Sequence, residues 1–532
     1  MRNVLLLLGS QHGHRWLGAD DGPHAAPVET PALSALADEG TTFEAAYTPT
    51  PLDGPARAGL LTGRRPADVG VVDSSNPFPD VPTLADRFGA AGYDTCLVGS
   101  LGLAGRRQFA GFDARPYGDL TGTGGGQLDP LTDHTARGSP YNAWFSKVGG
   151  EYGHRYDPMD PDRVRPDPWR SLAGDAGQTH VPESATQPRA VAREAVAHVR
   201  DAAAAGDDPW FLTASFAAPR PPLTAPDRHL DRYDGAPDPA VGADSDAGRH
   251  PLSAAKREAD RTAELRDEPT VDLDDETVRE ARRACFARVS HLDEVIGDLL
   301  GDLRRGGHLE DTVVVYAAGS GNLAGEHGLW WNAAFQEGAL RVPLVVSTPA
   351  QRRGDAPAGA VEAPVSLLDV APTLSGLVGV DAPGGDGADL SAAVTGGADP
   401  DRGPVRSELL VPRYGEGTEF QVVRDGDRKL VAVRDGPDLL FDLDADPLER
   451  TDRLDDDPDA AAALRRRGDV DLDAAVAARE DAPTGELPLA KGTSGNAYLL
   501  PDGRVVDADV ALYKPDVLAQ HPERAYEDFP GE

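Results

Sequence analysis

Short, mainly apolar segments recur along this chain of 532 residues and alternate with patterns typical of helices. They lie at 4–8, 93–99, 210–216, 312–316 and 342–347. An apolar run without polar alternation is typical of a strand buried on both faces, as in a parallel sheet. Residues 275–305 repeat apolar side chains at spacings of three and four, which predicts a long amphipathic helix. This alternation predicts an α/β fold with a doubly wound sheet covered on both faces.

A change of composition divides the chain. Residues 381–404 are rich in Gly, Ala and Asp, which predicts a linker at the end of a large domain, 1–395. Beyond it, residues 405–467 contain short alternating segments around Asp-Gly turns, and these predict a small antiparallel α+β subdomain. Residues 468–532 carry only weak signals and form an extension whose role the sequence does not predict.

The charge of the chain is strongly negative, because 89 acidic residues against 52 basic ones give a formal net charge of −37. The acidic residues are spread over both predicted domains, and such self-repulsion is tolerated where molar salt screens it over short distances. The composition therefore predicts a salt-adapted protein of the haloarchaeal type. An acidic surface repels nucleic acids and anionic membranes, so neither is expected as a partner.

The N-terminal apolar run does not resemble a targeting segment. Residues 4–8 are too short for the core of a signal peptide or for a membrane span, and no twin-arginine motif precedes them. Two cysteines, Cys96 and Cys285, are too few for a disulfide framework or a zinc motif, and we expect both to be buried as small hydrophobic residues. These features predict a cytoplasmic protein.

Residues 51–66, PLDGPARAGLLTGRRP, contain the clearest motif. The segment resembles the signature of the sulfatase family, in the alkaline phosphatase superfamily, where Cys or Ser begins a C/S-x-P-x-R stretch that continues to LLTGR-x-P. In that family the Cys or Ser is oxidised to formylglycine, whose hydrate attacks the sulfate ester. Pro55 and Arg57 keep the pattern, but Asp53 occupies the position of the nucleophile. A carboxylate cannot become an aldehyde hydrate, so the resemblance favours the fold and contradicts the chemistry.

Six further segments resemble the family in the same order along the chain. They are 3–18, 82–105, 210–233, 289–331, 365–374 and 439–454. The resemblance implies a sulfatase-type α/β/α sandwich with a doubly wound mixed sheet and a small C-terminal subdomain. It also implies, as the family activity, hydrolysis of sulfate esters with formylglycine and one Ca²⁺ or Mg²⁺ ion.

The resemblance places the cation ligands of the family in two loops, and both loops differ here. Ser10 and Gln11 stand where the family has Asp-Asp or Asp-Gln, and Gly319 and Ser320 stand where it has Asp followed by His or Asn. The affinity of hard cations follows the number of charged oxygen ligands. The loss of these carboxylates therefore predicts that no metal site is intact and that no cofactor binds.

The cationic residues that the family uses to bind sulfate are largely replaced. Ser100 and Gly102 stand in place of the Lys and His of a G-K-x-H pattern, and Asn332 lies at or beside the position of another Lys. Arg57 remains, and Arg220 replaces a His of the family. We predict that these two arginines bind a small anion, although most of the charge that stabilises a transferring group is gone.

Three hypotheses for the function follow. The first, which we favour, is a catalytically degenerate member of the family with a binding or regulatory role. The second is an active sulfate- or phosphate-ester hydrolase with a rearranged site, in which Asp53 is a carboxylate nucleophile rather than the ion-pair partner of Arg57 one helical turn away. The third is a partner subunit or scaffold, in a homo-oligomer or with an active sulfatase, to which residues 468–532 contribute.

Two histidine-containing segments bear on a rearranged metal site. His12 and His14 follow the first predicted strand and, with Asp53, have the ligand types of a transition-metal site. We favour exposed loop positions for both histidines instead. Glu326 and His327 belong to a GEHG block that resembles the family, and we expect a structural hydrogen-bonding role for them.

Overall fold

The first strand shows how the core is built. Its side chains alternate between two hydrophobic clusters, Val4, Leu6 and Leu8 in one and Leu5 and Leu7 in the other, and all five are fully buried. The strand is therefore covered on both faces, as its uninterrupted apolar sequence predicts. The computed structural model describes residues 3–18, 26–74, 76–103, 107, 109–117, 176–178, 183–206, 208–221, 223–261, 275–397, 400, 402–481, 497–499 and 505–507.

An eight-stranded mixed sheet forms the centre of the large domain. The strands of this and of the smaller sheets, in chain order over the described residues, are β1 Asn3–Ser10, β2 Thr41–Phe43, β3 Ala46–Tyr47, β4 Asp94–Gly99, β5 Ala114–Tyr117, β6 Gly177–Gln178, β7 Trp210–Pro219, β8 Thr224–Ala225, β9 Thr312–Ala318, β10 Leu344–Ser347, β11 Gly359–Val361, β12 Val365–Ser366, β13 Val405–Leu409, β14 Phe420–Asp425, β15 Arg428–Val433, β16 Leu439–Asp442, β17 Ala497–Leu499 and β18 Val505–Asp507. The order in the sheet is β11-β2-β10-β9-β1-β7-β4-β5. Strands β9, β1, β7, β4 and β5 run parallel, whereas β10 is antiparallel to both of its neighbours.

Helices cover both faces of this sheet, which confirms the predicted α/β/α sandwich. One face carries Asp53–Thr62, Leu84–Ala90, Val370–Val378 and Ser391–Gly396. The opposite face carries Pro31–Asp38, Gln187–Ala205 and Asp275–Arg305. The remaining helical segments are His14–Trp16, Pro66–Val69, Glu183–Ala185, Asp227–Leu230, Asp231–Tyr233, Asp246–Arg249, Pro251–Arg261, Glu326–Gly328, Glu337–Leu340, Pro349–Arg352, Leu367–Asp369, Pro458–Arg467 and Leu472–Asp481.

Strands β13 to β16 form a four-stranded antiparallel sheet, as the alternating segments beyond the linker predict. Helix Pro458–Arg467 packs Ala461 and Leu464 on one face of it. The other face packs Phe420 and neighbouring apolar residues against Phe335 of the large domain. The subdomain is therefore joined to the large domain through a shared hydrophobic core.

A buried ionic cluster also joins the two parts. The ammonium of Lys429, on β15, lies 2.8 Å from Glu337 Oε1 and 2.7 Å from Glu449 Oε1. Tyr47 of the large domain donates a hydrogen bond of 2.6 Å to Glu337 Oε2. Lys429 has no exposed surface. Charges removed from water in this way are tolerated only while they remain paired.

The extension 468–532 lies largely outside the described residues. Within it, helix Leu472–Asp481 buries Val476, and Arg479 donates a hydrogen bond of 2.8 Å to the carbonyl of Leu410. Strands β17 and β18 pair in antiparallel fashion. In the ranges that the structure describes, no helix is both long enough and apolar enough to cross a lipid bilayer. Cys96 and Cys285 are buried and free, as expected.

Candidate active-site crevice

The parallel strands end at one edge of the sheet, and the residues that meet at this edge are called the crevice below. Ser10 at the end of β1 is paired with Pro219 of β7, and Gly9 is paired with Ala318 at the end of β9. Gly99, at the end of β4, is paired with Ser215 of β7. The loops that leave these strands therefore start side by side. Ligands of open α/β sheets bind outside the carboxyl ends of the strands.

The signature helix, Asp53–Thr62, lies across this edge. Its Gly54 touches the loop after β4 so closely that an added Cβ would lie 2.3 Å from the carbonyl oxygen of Gly102. Arg57 Nη2 donates to Ser10 Oγ and, at 3.3 Å, to the carbonyl of Gly9. The structure thus brings Asp53 and Arg57 to the loops that carry the other sequence-predicted positions.

The Asp53 carboxylate accepts a hydrogen bond from a neutral donor. Ser320 Oγ donates a hydrogen bond of 2.9 Å to Asp53 Oδ1, and Asn332 Nδ2 donates one of 3.0 Å to Ser320 Oγ. The sequence-predicted positions 53, 320 and 332 therefore form one chain of hydrogen bonds. Thr48 Oγ1, which sequence reasoning missed, fixes the same loop by donating to the carbonyl of Gly319 at 2.6 Å.

Gly319 lies directly against Asp53. A Cβ at Gly319 would lie 2.8 Å from Asp53 Oδ1, 3.3 Å from its Cα and 3.4 Å from its carbonyl oxygen. A carboxylate at position 319, which the resemblance implies for the metal loop, does not fit beside the carboxylate at 53. The substitutions at the nucleophile and at the cation-ligand position are therefore sterically coupled.

This coupling predicts a non-additive double mutant. Gly319→Ala alone is expected to cost about 1 kcal/mol of unfolding free energy, because its methyl group displaces the Asp53 carboxylate from Ser320. In an Asp53→Ala background the 2.8 Å contact no longer exists and only the contacts with the backbone of residue 53 remain, so we expect Gly319→Ala to cost clearly less there. Urea unfolding of the wild type, the two single variants and the double variant in molar KCl measures the interaction energy between positions 53 and 319. Equal effects in both backgrounds would contradict the coupling.

The first loop offers only neutral oxygens to a cation. Ser10 Oγ donates to the carbonyl of Phe216 at 3.0 Å and accepts from Arg57, and Gln11 Oε1 accepts from Asn322 Nδ2 at 3.3 Å. With Ser320 Oγ committed to Asp53, that carboxylate is the single anionic oxygen donor at the described positions that match the family's ligands. Ca²⁺ and Mg²⁺ require several oxygen ligands, with carboxylates among them. The residues present do not fit the family's divalent cation.

Arg57 and Arg220 both border Ser10. The backbone N–H of Arg220 donates to the carbonyl of Ser10 at 3.1 Å, and the Arg57 guanidinium bonds to its hydroxyl. Arg57 is 1% exposed and Arg220 is 7% exposed. Ser100 follows β4 and is buried as well. The crevice thus combines the half-buried Asp53 carboxylate with the buried Arg57 guanidinium, and the backbone of the buried Arg220 lies beside the same serine.

His12 and His14 are buried, so the expectation of exposed loop positions is wrong. His12 Nδ1 lies 2.6 Å from the Tyr316 hydroxyl and Nε2 lies 3.2 Å from the carbonyl of Trp16. Burial lowers the pKa of His12 to about 4. His14 Nε2 lies 3.4 Å from a carboxylate oxygen of Glu44. Across the described ranges, metal-ligand side chains converge at Glu183, His229 and His291 rather than at His12, His14 and Asp53.

Glu326 and His327 make the structural contacts that we expected of them. Glu326 Oε2 accepts a hydrogen bond from Arg15, and His327 Nδ1 lies 2.8 Å from the Ser245 hydroxyl. Burial, with help from nearby cations that include Arg15, lowers the pKa of His327 to about 3. Both side chains therefore hold the loop after β9 against neighbouring segments, Glu326 through Arg15 and His327 through Ser245.

Comparison with known proteins agrees with this architecture. A family model described as Sulfatase matches residues 2–380. The choline-sulfatase of Rhizobium meliloti (strain 1021) is 31% identical over 463 residues, which cover 84% of this chain and 81% of that protein. The arylsulfatase of Clostridium perfringens (strain 13 / Type A) is 24% identical over 465 residues, covering 85% and 90% of the two chains. The phosphonate monoester hydrolase of Agrobacterium radiobacter has a similar fold, with a TM-score of 0.68 at 22% identity, covering 95% of this chain and 99% of that one.

The mixed sheet, its polar edge and the signature helix define a class of α/β proteins whose fold is similar to that of the phosphonate monoester hydrolase. Within that class, the chain belongs to the sulfatase family.

Proposed function

We propose that this chain is a catalytically degenerate sulfatase that binds a small oxoanion in its crevice without hydrolysing a sulfate ester through formylglycine. One observation carries the proposal. At the position of the family's nucleophile, the Asp53 carboxylate accepts a hydrogen bond from Ser320 and fills the space beside Gly319. Nucleophile and cation-ligand positions are thereby occupied by one polar arrangement that supplies neither an aldehyde nor a metal-binding set of carboxylates.

The loss of the family's charged residues affects the transition state of hydrolysis more than it affects binding of an anion. Hydrolysis of a sulfate ester develops negative charge that metal ions and preorganised cations stabilise in active enzymes. Ser10, Gly319 and Ser320 bring no charge to the crevice. The Asp53 carboxylate adds a negative charge where the substrate anion would approach. Each change raises the barrier, so turnover should be lost even where an anion still binds.

Arg57 and Arg220 support the anion-binding part of the proposal. A guanidinium matches the geometry of an oxoanion through paired N–H donors and stays charged at every physiological pH. Both residues are buried, the Arg57 guanidinium bonds to Ser10 Oγ, and the Arg220 backbone bonds to the Ser10 carbonyl. The low dielectric of such a buried place strengthens the attraction of a guanidinium for an anion. Sulfate, or the sulfate group of an ester, is the partner that this chemistry favours.

A second candidate function is an active ester hydrolase that uses Asp53 itself. The observation that favours it is the position of Asp53, half-buried and first in the signature helix, in a chain whose relatives are named as sulfatases. An Asp53 oxygen would attack the sulfur or phosphorus, and the leaving alcohol oxygen would take a proton from water. The hydroxide formed would cleave the mixed acyl anhydride, which restores the Asp53 carboxylate and releases sulfate or phosphate. A partner-subunit role for residues 468–532 and a salt-adapted cytoplasmic location stay predictions.

Turnover of 4-nitrophenyl sulfate distinguishes these functions. Protein purified in molar KCl, with Ca²⁺, Mg²⁺ or Mn²⁺ supplied, is expected to be at least about 10⁴-fold slower than a formylglycine sulfatase assayed in parallel, because the nucleophile is missing. 4-Nitrophenyl phosphate is the matched substrate control. Sulfate is expected to raise the Tm of the same sample.

Two results would overturn the proposal. Turnover that is lost in Asp53→Ala would establish the carboxylate mechanism instead. A folded protein whose Tm does not respond to sulfate or phosphate at any concentration would remove the anion-binding part, while leaving the loss of hydrolysis intact.

A further inference from the structure

A second cluster of metal-ligand side chains lies outside the crevice residues. One ligand atom each from Glu183, His229 and His291 lies within 4.8 Å of the other two. The three residues come from separate segments: the turn Glu183–Ala185, the short helix Asp227–Leu230 and the long helix Asp275–Arg305. His229 is fully buried and His291 is 3% exposed.

The two imidazoles have ring nitrogens without hydrogen-bond partners. Neither Nδ1 nor Nε2 of His229 makes a hydrogen bond, although Nε2 lies 3.5 Å from a carboxylate oxygen of Glu294. His291 Nδ1 also makes none. A buried polar atom without a partner loses its hydration and gains nothing in return, which is unfavourable. A bound ion would supply the missing partner.

Hydrogen bonding fixes which nitrogen of His291 carries a lone pair. The Thr186 hydroxyl has one proton and donates it to the carbonyl of Glu183 at 2.9 Å. It must therefore accept from His291 Nε2, which lies 3.1 Å away. His291 is thus protonated on Nε2 and keeps the lone pair on Nδ1. Metal-bound histidines are commonly oriented by such a hydrogen bond from the second nitrogen.

Both histidines are held in the form that binds metals. Burial, with help from Arg228, lowers the pKa of His229 to about 4. Burial, with help from neighbouring His229, lowers the pKa of His291 to about 3. Burial disfavours the charged imidazolium, and the neutral ring is the form that binds a metal ion.

Glu183 has one lone pair left for an ion. Its Oε1 accepts from Arg189 Nη2 and Arg228 Nη2, and its Oε2 accepts from Arg228 Nε at 3.1 Å. A carboxylate has four acceptor sites, so one site on Oε2 remains. The Arg228 hydrogen bonds are the main cause that lowers the pKa of Glu183 to about 2, so the group is anionic. Its side chain is 30% exposed, which gives an ion access from solvent.

We propose that Glu183, His229 and His291 bind one divalent transition-metal ion, with Zn²⁺ as the best fit. Two imidazoles and one carboxylate match the ligand set of zinc, whereas Ca²⁺ and Mg²⁺ select oxygen ligands. Three protein ligands leave a fourth position for water. The ion would link the segment before Gln187–Ala205 to the helices Asp227–Leu230 and Asp275–Arg305 and would stabilise that contact independently of the crevice residues.

Metal titration of the full-length, untagged protein tests the site. After EDTA treatment and dialysis into KCl, we expect one equivalent of Zn²⁺ per chain by elemental analysis, a rise in Tm on adding Zn²⁺, and visible absorption bands when Co²⁺ replaces it. His229→Asn, His291→Asn and Glu183→Gln should each weaken Zn²⁺ binding at least about tenfold. His308→Asn, at a partly exposed histidine elsewhere, and Asp53→Ala in the crevice are matched controls that should bind as wild type does.

Two outcomes would overturn the site. Wild-type protein that takes up no Zn²⁺ or Co²⁺ would exclude it, and so would unchanged affinity in the three ligand variants. If the histidine variants fail to fold, Glu183→Gln decides, because it changes only a partly exposed carboxylate. Because Asp53→Ala is a control, a failed metal site and a failed crevice proposal give different results.

Discussion

Replacing Lys429 by methionine is expected to lower the free energy of unfolding by about 3–5 kcal/mol. The substitution removes the ammonium that lies between Glu337 and Glu449 and leaves two carboxylates buried beside each other. Since Glu337 belongs to the large domain and Lys429 to the C-terminal sheet, the loss also weakens the attachment of the subdomain. Urea unfolding in molar KCl, followed by tryptophan fluorescence, measures the effect.

Lys256→Met is the matched control for this prediction. Lys256 is also buried, but its ammonium lies 3.2 Å from a single carboxylate, Asp260, whose side chain is 15% exposed. Lys256→Met therefore leaves one partly exposed carboxylate unpaired rather than two buried ones, and we expect a clearly smaller loss of unfolding free energy. Equal losses of unfolding free energy in Lys256→Met and Lys429→Met would show that the second carboxylate beside Lys429 makes no difference.

The pH dependence of the Lys429 variant has a defined sign. Burial raises the pKa of Glu337, but attraction by Lys429 and Arg424 outweighs it and lowers the pKa from 4.5 to about 2. A lowered carboxyl pKa contributes stability that is fully present above pH 4.5 and is lost as the pH falls through 2. The difference in unfolding free energy between wild type and Lys429→Met should therefore become smaller as the pH falls. A difference that does not change with pH would show that the ion pair of Lys429 with Glu337 is not its cause.

Gly99→Ala is expected to lower the free energy of unfolding by about 3 kcal/mol. Gly99 ends β4 at φ 101°, a conformation that side chains rarely adopt. An added Cβ would also lie 2.0 Å from the carbonyl oxygen of Ser215 on the neighbouring strand. Backbone strain and overpacking each cost about 1–3 kcal/mol, and neither is relieved by moving a side chain. The same urea titration measures the loss.

Gly70→Ala separates the two causes. Gly70 has φ 77°, but no atom lies within 4 Å of the position of its Cβ. It should therefore show only the conformational cost of about 1 kcal/mol. If Gly70→Ala is as destabilising as Gly99→Ala, the close contact with Ser215 contributes nothing. Because Ser100 follows directly, Gly99→Ala should also disturb the crevice and weaken the Tm response to sulfate.

Much of the fold could be predicted from local patterns. Strand β1 and the helix over 275–305 could both be predicted from the sequence. A strand buried on both faces is apolar throughout, and a helix buried along one stripe repeats apolar residues at spacings of three and four. Helix Pro251–Arg261 could not be found in this way, since its sequence is mostly polar. Its burial depends on distant partners, among them Tyr414, whose ring faces the Lys256 ammonium at 5.3 Å.

The sequence by itself determined the sandwich, the family and the presence of Asp instead of Cys or Ser at position 53 of the signature, because each depends on residue identity or on periodicity along the chain. Only the tertiary structure decided how the replaced residues fit together. The contact of Gly319 with Asp53 joins positions 266 apart in number, and the burial of His12 depends on Tyr316. The meeting of Glu183, His229 and His291 likewise leaves no spacing pattern, because three separately folded segments bring them together.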